Sequence, residues 1–292
     1  MHPGFSVIFL TTLIGAGQGL FLALYATELA ALAQVFSPRP DAAFWVGGSV
    51  VSLLLVAAGA VASLFHLGHP ERAWRAAAMW RTSWLSREVI ALPLFMAGLF
   101  AWGLAHALGV PGTRWLGALA AVLCLALYVC TAMVYASVRF LQEWASPLTL
   151  VNYLLIGCAS GSLLAAALAS FAAPSLVEPL ALAALLLTLA ALIGRAAALL
   201  RNAGLKPRST LQTAIGIKHP AIVQRAQGFM GGSFNTREFF HGSSAGVLRS
   251  VKWFFLAAGF VLPAAMLLAL PPSGPVLLAA VLVQLAGLLA ER

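Results

Sequence analysis

Eight long apolar stretches constrain what this chain can fold into. They run approximately over Phe5 to Ala33, Phe44 to Leu67, Ser86 to Leu108, Trp115 to Ser137, Leu148 to Phe171, Pro179 to Leu200, Val251 to Leu270 and Pro275 to Ala290. A helix needs about 20 apolar residues to cross a hydrocarbon core of roughly 30 Å. Backbone amides in lipid must be satisfied internally, and continuous apolar runs of this length indicate helices rather than barrel strands. With only 9% charged residues, the sequence predicts an all-α integral membrane protein, a bundle of eight transmembrane helices.

The positive charges are divided unequally between the two ends of these spans. If the end of the bundle that carries the amino terminus is named face A, 15 of the 17 Lys and Arg residues fall on face A, and Arg39 and Arg114 fall on the opposite face B. Loops rich in Lys and Arg mark the cytoplasmic side of a membrane. We therefore expect both termini in the cytoplasm and the chain in a bacterial cytoplasmic (inner) membrane. Topology explains the net charge of +9, and we expect no nucleic-acid partner.

Few residues of the chain could hold a redox cofactor. Cys124, Cys130 and Cys158 lack the close spacing of zinc and iron–sulfur sites, so we interpret them as core residues. His66 and His106 lie at the ends of spans two and three, near opposite faces, and therefore cannot share one haem. We predict no metal and no haem in this chain. Any electrons that it carries are expected to pass to a mobile, lipid-soluble carrier.

Polar residues that could do chemistry collect at face A. The segment from His66 to Glu88 reads HLGHPERAWRAAAMWRTSWLSRE, in which Pro70 and then Glu71 predict a short interfacial helix. His66 can exchange a proton near neutral pH, and Arg87 beside Glu88 forms an ionisable pair at the start of span three. An aromatic belt with positive-inside arginines is the alternative interpretation of this segment.

Other spans bring further polar residues. Tyr135 and Arg139 are four residues apart and are predicted to share a helix face near face A. Gln18 lies near mid-membrane, where either structural pairing or ligand contact would explain it, and Glu28 is expected to be exposed at the face B interface. The face A residues suit a quinone, which needs apolar walls, hydrogen-bond partners for two carbonyls and groups that exchange two protons.

The segment at about 201–250 is too long for a tight helical connection. It contains more apolar residues than a solvated tether would, so we expect it to fold against another surface. We predict that it docks a cytoplasmic partner subunit, and packing back onto the bundle is the alternative. The docking residues predicted in it are Arg225, Phe229, Met230, Phe234, Arg237 and Phe240. The chain is otherwise a single polytopic membrane domain over residues 1–292.

Four segments resemble the membrane-anchor subunits of DMSO reductase-type molybdoenzymes. They are HPGFSVIFLTTLIGAGQGLFLALY at the start, HLGHPERAW after span two, WRTSWLSRE at span three, and GIKHPAIVQRAQGFMGGSFNTREFFHG in the long loop. The resemblance implies eight helices, a site for ubiquinone or menaquinone, and no haem. It also implies docking to an iron–sulfur subunit that connects the anchor to a molybdopterin catalytic subunit.

The same resemblance assigns a quinol-site role to His66 and adds Arg72 of the HLG motif to the candidate site. The candidate quinone-binding residues are therefore His66, Arg72, Arg87, Glu88, Gln18, Tyr135 and Arg139. The strings RTSWLSRE and GFMGGSFNTREFFHG, together with a basic docking face, resemble the cytoplasmic quinone-dependent sulfite dehydrogenase branch. That branch implies an oxidoreductase subunit that passes electrons from an iron–sulfur subunit to quinone, while the catalytic molybdenum site lies in another chain.

Three alternatives remain at this stage. The chain could be the quinol-oxidising anchor of a DMSO reductase-type terminal reductase, or a structural anchor without a quinone site. A secondary transporter would show matching halves with paired helix interruptions, and we find no such halves. Under every alternative, the spacings Gly15 to Gly19 and Gly157 to Gly161 predict close helix packing.

Overall fold

The structure, a computed structural model, describes residues 4–35, 40–65, 67–206, 211–219, 221–222 and 244–292. Within these ranges the α-helices are α1 (Phe5–Leu32), α2 (Ala42–Leu64), α3 (Trp84–Ala107), α4 (Thr113–Ala136), α5 (Pro147–Ala172), α6 (Val177–Ala203), α7 (Leu211–Ile215), α8 (Ala245–Leu256), α9 (Leu262–Ala269) and α10 (Gly274–Glu291). A π-helical turn, Ala257–Val261, joins α8 to α9, and a 3₁₀ helix, Pro174–Leu176, precedes α6. Eight helical segments in the described ranges are long and apolar enough to cross a membrane. The prediction of an all-α bundle of eight spans is confirmed.

The predicted spans agree with these helices to within a few residues at most ends. Span two was expected to reach Leu67, whereas α2 ends at Leu64 and the chain turns at Phe65. The predicted interfacial helix is present as a 3₁₀ helix, Pro70–Met79, with Pro70 in its first turn. Pro70 suits that position because its fixed backbone angle fits a helix start and its missing N–H has no helical partner there.

Helices α1 and α5 are the two most buried spans, and their backbones touch. A Cβ atom added to Gly161 would overlap the carbonyl carbon of Gly19, and one added to Gly19 would overlap the carbonyl oxygen of Gly157. Glycine is therefore required here because no larger side chain has room between the two backbones. The close packing predicted from the two glycine spacings is confirmed.

The seventh span contains the π-helical turn beside Pro263. Proline has no N–H, so the carbonyl of Gly259, four residues earlier, loses its α-helical partner. Gln284 of α10 donates an Nε2 hydrogen bond of 3.4 Å to that carbonyl and one of 3.3 Å to the hydroxyl of Thr188 in α6. A buried amide thus joins three spans at the point where one of them is irregular.

Replacing Gly161 by Ala should destabilise the bundle. The new Cβ would meet backbone atoms of α1, which cannot rotate away as a side chain can, so we expect a loss of about 1–3 kcal/mol or more. Thermal unfolding of the purified chain in detergent checks this. Gly246→Ala is the matched control, since its Cβ would have only ordinary contact, 3.7 Å from the Ser244 hydroxyl. Equal melting temperatures for Gly161→Ala and the wild type would contradict the helix contact.

Candidate functional site

Glu88 is a buried carboxyl near face A. It lies in the second turn of α3, is only 9% exposed, and accepts a 2.6 Å hydrogen bond at Oε1 from the hydroxyl of Thr131 in α4. An ionisable group at this depth in a membrane span is costly, so such residues commonly mark sites for ions, protons or ligands. The α3–α4 pairing holds the carboxyl inside the bundle rather than at its lipid surface.

Aromatic and basic groups from other helices surround this carboxyl. Tyr153 of α5 interacts electrostatically with Glu88, with Tyr135 of α4 and with Arg292. The guanidinium of Arg292 lies 4.5 Å from the centre of the Tyr153 ring. We name this group of residues from four parts of the chain the Glu88 cluster: Glu88, Thr131, Tyr135, Tyr153 and Arg292. It combines a carboxyl, two phenols and a cation in a largely apolar setting.

Arg87 and Glu88 do not form the ion pair that their adjacency suggests. The Arg87 side chain points back toward the 3₁₀ helix and donates hydrogen bonds of 2.8 Å to the carbonyl oxygens of Trp80 and of Arg81. It also lies 4.3 Å from the centre of the Trp84 ring. Arg87 therefore fastens the interfacial turn to the start of α3, while Glu88 points into the bundle.

Two other predicted site residues lie at the surface of face A. Arg72 is exposed and lies 3.6 Å from the carboxylate of Glu71 in the 3₁₀ helix. The expectation that Tyr135 and Arg139 share a helix face is wrong because α4 ends at Ala136, and Arg139 lies exposed in the following turn. Tyr135 instead packs edge-on against Trp144, with ring centres 5.4 Å apart.

Gln18 is fully buried in α1, and its amide pairs with α4. Its Nε2 donates a 2.9 Å hydrogen bond to the carbonyl oxygen of Cys124, and the thiol of Cys124 lies 3.7 Å from the carbonyl oxygen of Gln18. The side-chain oxygen Oε1 has no hydrogen-bond partner among the described residues. This geometry corresponds to structural pairing between α1 and α4, and it separates Gln18 from the surface residues Arg72 and Arg139.

The remaining predictions concern residues outside the described ranges. His66, the central residue of the predicted quinone site, lies between the described segments 40–65 and 67–206. The predicted docking residues Arg225, Phe229, Met230, Phe234, Arg237 and Phe240 lie outside them as well. In the part of the chain that the structure describes, no group of three or more His, Cys, Asp and Glu residues is placed to hold a metal ion.

A second buried polar group lies near face B, where the sequence suggested an exposed side chain. The expectation for Glu28 is wrong: it is 4% exposed. Trp102 donates a 2.9 Å hydrogen bond to its Oε2, the hydroxyl of Thr113 donates to its Oε1, and Nε2 of His106 lies 3.4 Å from Oε1. The ring of His106 also stacks on Trp45, with centres 5.4 Å apart. We name Glu28, Trp102, His106 and Thr113 the Glu28 clamp, because they join α1, α3 and α4.

Comparison with known proteins defines the class of this chain. All of its 292 residues match the family described as DMSO reductase anchor subunit (DmsC). The chain belongs to this family and is an anchor subunit of a DMSO reductase-type oxidoreductase complex, a class that works with electron-transfer and catalytic partner subunits.

A particular relative is a subunit of the sulfite dehydrogenase of Allochromatium vinosum. The two sequences are 53% identical over 307 aligned residues, which cover 100% of this chain and 94% of the relative. No solved structure matches the chain.

Replacing Glu28 by Leu should destabilise the bundle more than Glu28→Gln. Leucine leaves the buried donors of Trp102 and Thr113 without an acceptor, at about 1–3 kcal/mol for each, whereas glutamine keeps one acceptor oxygen. Thermal unfolding in detergent measures the difference. Glu178→Leu, at an exposed carboxylate near the same face, should leave the melting temperature nearly unchanged. Equal melting temperatures for the Glu28→Leu and Glu178→Leu variants would show that the clamp does not stabilise the fold.

Proposed function

We propose that this chain is the membrane anchor and quinone-reducing subunit of a sulfite dehydrogenase. The observation that carries the proposal is 53% identity, along the whole chain, to a protein named as a sulfite dehydrogenase subunit. In the proposed complex, a molybdopterin subunit oxidises sulfite and an iron–sulfur subunit delivers two electrons to this chain's face A. Ubiquinone or menaquinone from the bilayer is the substrate that receives those electrons here, takes up two protons and leaves as quinol.

We place the quinone headgroup at face A, near Glu88 and His66. The Glu88 cluster supports this placement because it supplies what the headgroup needs: a buried carboxyl to exchange a proton, phenols and a guanidinium to hydrogen-bond, and apolar walls. In this proposal, Thr131 holds Oε1 of Glu88, so that Oε2 can carry the transferable proton. His66 serves the other quinone carbonyl, as its position in the HLG motif suggests.

The other residues predicted from the sequence take supporting roles in this proposal. Arg87 positions the interfacial 3₁₀ helix through its bonds to the carbonyls of Trp80 and Arg81. Arg72 and Arg139 contribute positive charge at the entrance, Tyr135 contributes a wall, and Gln18 supports the deep end through its bond to α4.

The proposed orientation puts face A in the cytoplasm. Of the 17 Lys and Arg residues, 15 belong to segments on this face, which is the bias that cytoplasmic loops carry. The partner subunits then dock from the cytoplasm, in part through Arg225, Phe229, Met230, Phe234, Arg237 and Phe240 of the long loop.

Fusions at the end of the full chain should report this orientation. With face A in the cytoplasm, a carboxyl-terminal green fluorescent protein should fluoresce and a carboxyl-terminal alkaline phosphatase should be inactive, because each folds in one compartment only. Whole-cell fluorescence and phosphatase activity measure the two fusions. An active phosphatase with a dark fluorescent protein would place face A outside.

His66→Ala and Glu88→Gln should each lower sulfite-dependent quinone reduction in membranes by about 10²-fold, because each removes a group that exchanges protons with the quinone. Sulfite oxidation with an artificial dye should stay at the wild-type level, because the dye takes electrons from the partner subunits. His69→Ala and Glu143→Gln are matched controls at exposed face A positions, and both should retain quinone reduction.

Other results would point elsewhere. Normal quinone reduction in both variants would remove the site from this face. If His66→Ala instead abolished co-purification of the partner subunits, the residue would be structural. Sulfite inactivity of the wild-type complex, together with quinol-dependent reduction of dimethyl sulfoxide, would favour a terminal reductase.

A further inference from the structure

A groove at the start of the seventh span combines basic and aromatic side chains. It has a volume of about 540 Å³ and is lined by Leu248, Arg249, Lys252 and Trp253 of α8. Arg249 and Lys252 are three residues apart and therefore lie on the same side of the helix. Both are exposed in the first turns of a membrane span, at face A. The groove is thus at the depth where lipid headgroups lie.

The two cations of the groove differ from the cations that α8 and its neighbours bury. On the inner side, Arg195 of α6 lies 5.4 Å from the ring centre of Phe255 and 2.9 Å from the carboxylate of Glu291. Arg249 and Lys252 have no ion pair with any described carboxylate. The inward cation is neutralised by the protein, whereas the outward pair presents about two unbalanced positive charges.

Apolar side chains continue from the groove along the seventh span. Trp253 is 63% exposed, Phe254 51% and Val261 50%. A tryptophan is typical of the headgroup level, and the residues beyond it belong to the lipid-exposed surface of a span. The groove is therefore continuous with the surface that acyl chains cover, which favours a lipid over a soluble ligand.

We propose that this groove binds an anionic phospholipid. The phosphate lies between Arg249 and Lys252, the indole of Trp253 packs at the headgroup, and an acyl chain follows Phe254 and Val261. Attraction of each basic residue to an anionic lipid gives about a fivefold preference, so two residues give about a 30-fold preference for phosphatidylglycerol over phosphatidylcholine.

Native mass spectrometry of the purified full chain tests the proposal. The detergent-solubilised protein is titrated with phosphatidylglycerol or with phosphatidylcholine, and the bound lipid is counted. Wild type should bind phosphatidylglycerol about 30-fold more tightly than phosphatidylcholine, and the double variant Arg249→Gln/Lys252→Gln should lose most of this preference. Arg75→Gln/Arg81→Gln is the matched control, because it removes two exposed guanidiniums from the same face and should retain the preference.

A charge-retaining variant separates lipid binding from folding. Arg249→Lys/Lys252→Arg keeps both charges and should keep the preference for phosphatidylglycerol. Unchanged preference in the double glutamine variant, or an equal loss in the Arg75→Gln/Arg81→Gln control, would overturn the proposed site. Displacement of the lipid by an equal concentration of inorganic phosphate would also overturn it, since the groove would then recognise free phosphate. Specific capture of a partner subunit that phosphatidylglycerol does not displace would reassign the groove to a protein interface.

Discussion

The backbone contact between α1 and α5 determines where the other helices can lie. In lipid, apolar side chains gain little by leaving the solvent, so helices associate through close van der Waals contact and hydrogen bonds. Gly19 and Gly161 allow that contact because neither carries a side chain. Close to this crossing, Tyr128 of α4 donates a 2.9 Å hydrogen bond to the Gly15 carbonyl, and Tyr153 of α5 donates a 3.3 Å bond to the Thr11 carbonyl. These bonds bring α4 and α5 together beside the Glu88 cluster, so the crossing also sets the geometry of the candidate site.

Polar side chains inside the bundle have a similar structural use wherever a backbone group lacks a partner. Gln284 donates to the Gly259 carbonyl, which Pro263 cannot satisfy, and Gln18 donates to the Cys124 carbonyl of a neighbouring helix. An unsatisfied polar group in hydrocarbon costs several kcal/mol. Buried amides in this fold therefore have a structural explanation first, and a ligand role needs an additional observation. For Glu88, that observation is its ionisable carboxyl near face A, close to two phenols and a guanidinium.

The fold was predictable from the sequence because length and apolarity are sufficient to identify a membrane helix. The interfacial helix was predictable from Pro70 and its neighbours. The side-chain partners were not, because they come from helices that are remote in sequence: Thr131 is 43 residues from Glu88, and Trp102 is 74 residues from Glu28. The Tyr135 and Arg139 prediction failed at a helix end, where a difference of three residues decides whether two side chains share a face.

The two buried carboxyls are equipped for different tasks. Glu28 has two hydrogen-bond donors and a nearby imidazole around its two oxygens, whereas the side-chain donor that the described residues provide to Glu88 is Thr131. Between Gln18 and Tyr25, α1 contains only Gly, Leu, Phe and Ala residues, and the buried ring of Phe21 packs against Phe95 and Trp102. Ten residues of helix separate Gln18 from Glu28, about 15 Å, and much of that distance is apolar. A proton bound at Glu88 therefore has a shorter polar route to face A than to the Glu28 clamp, which leaves Glu28 to hold helices and Glu88 to exchange protons with a ligand.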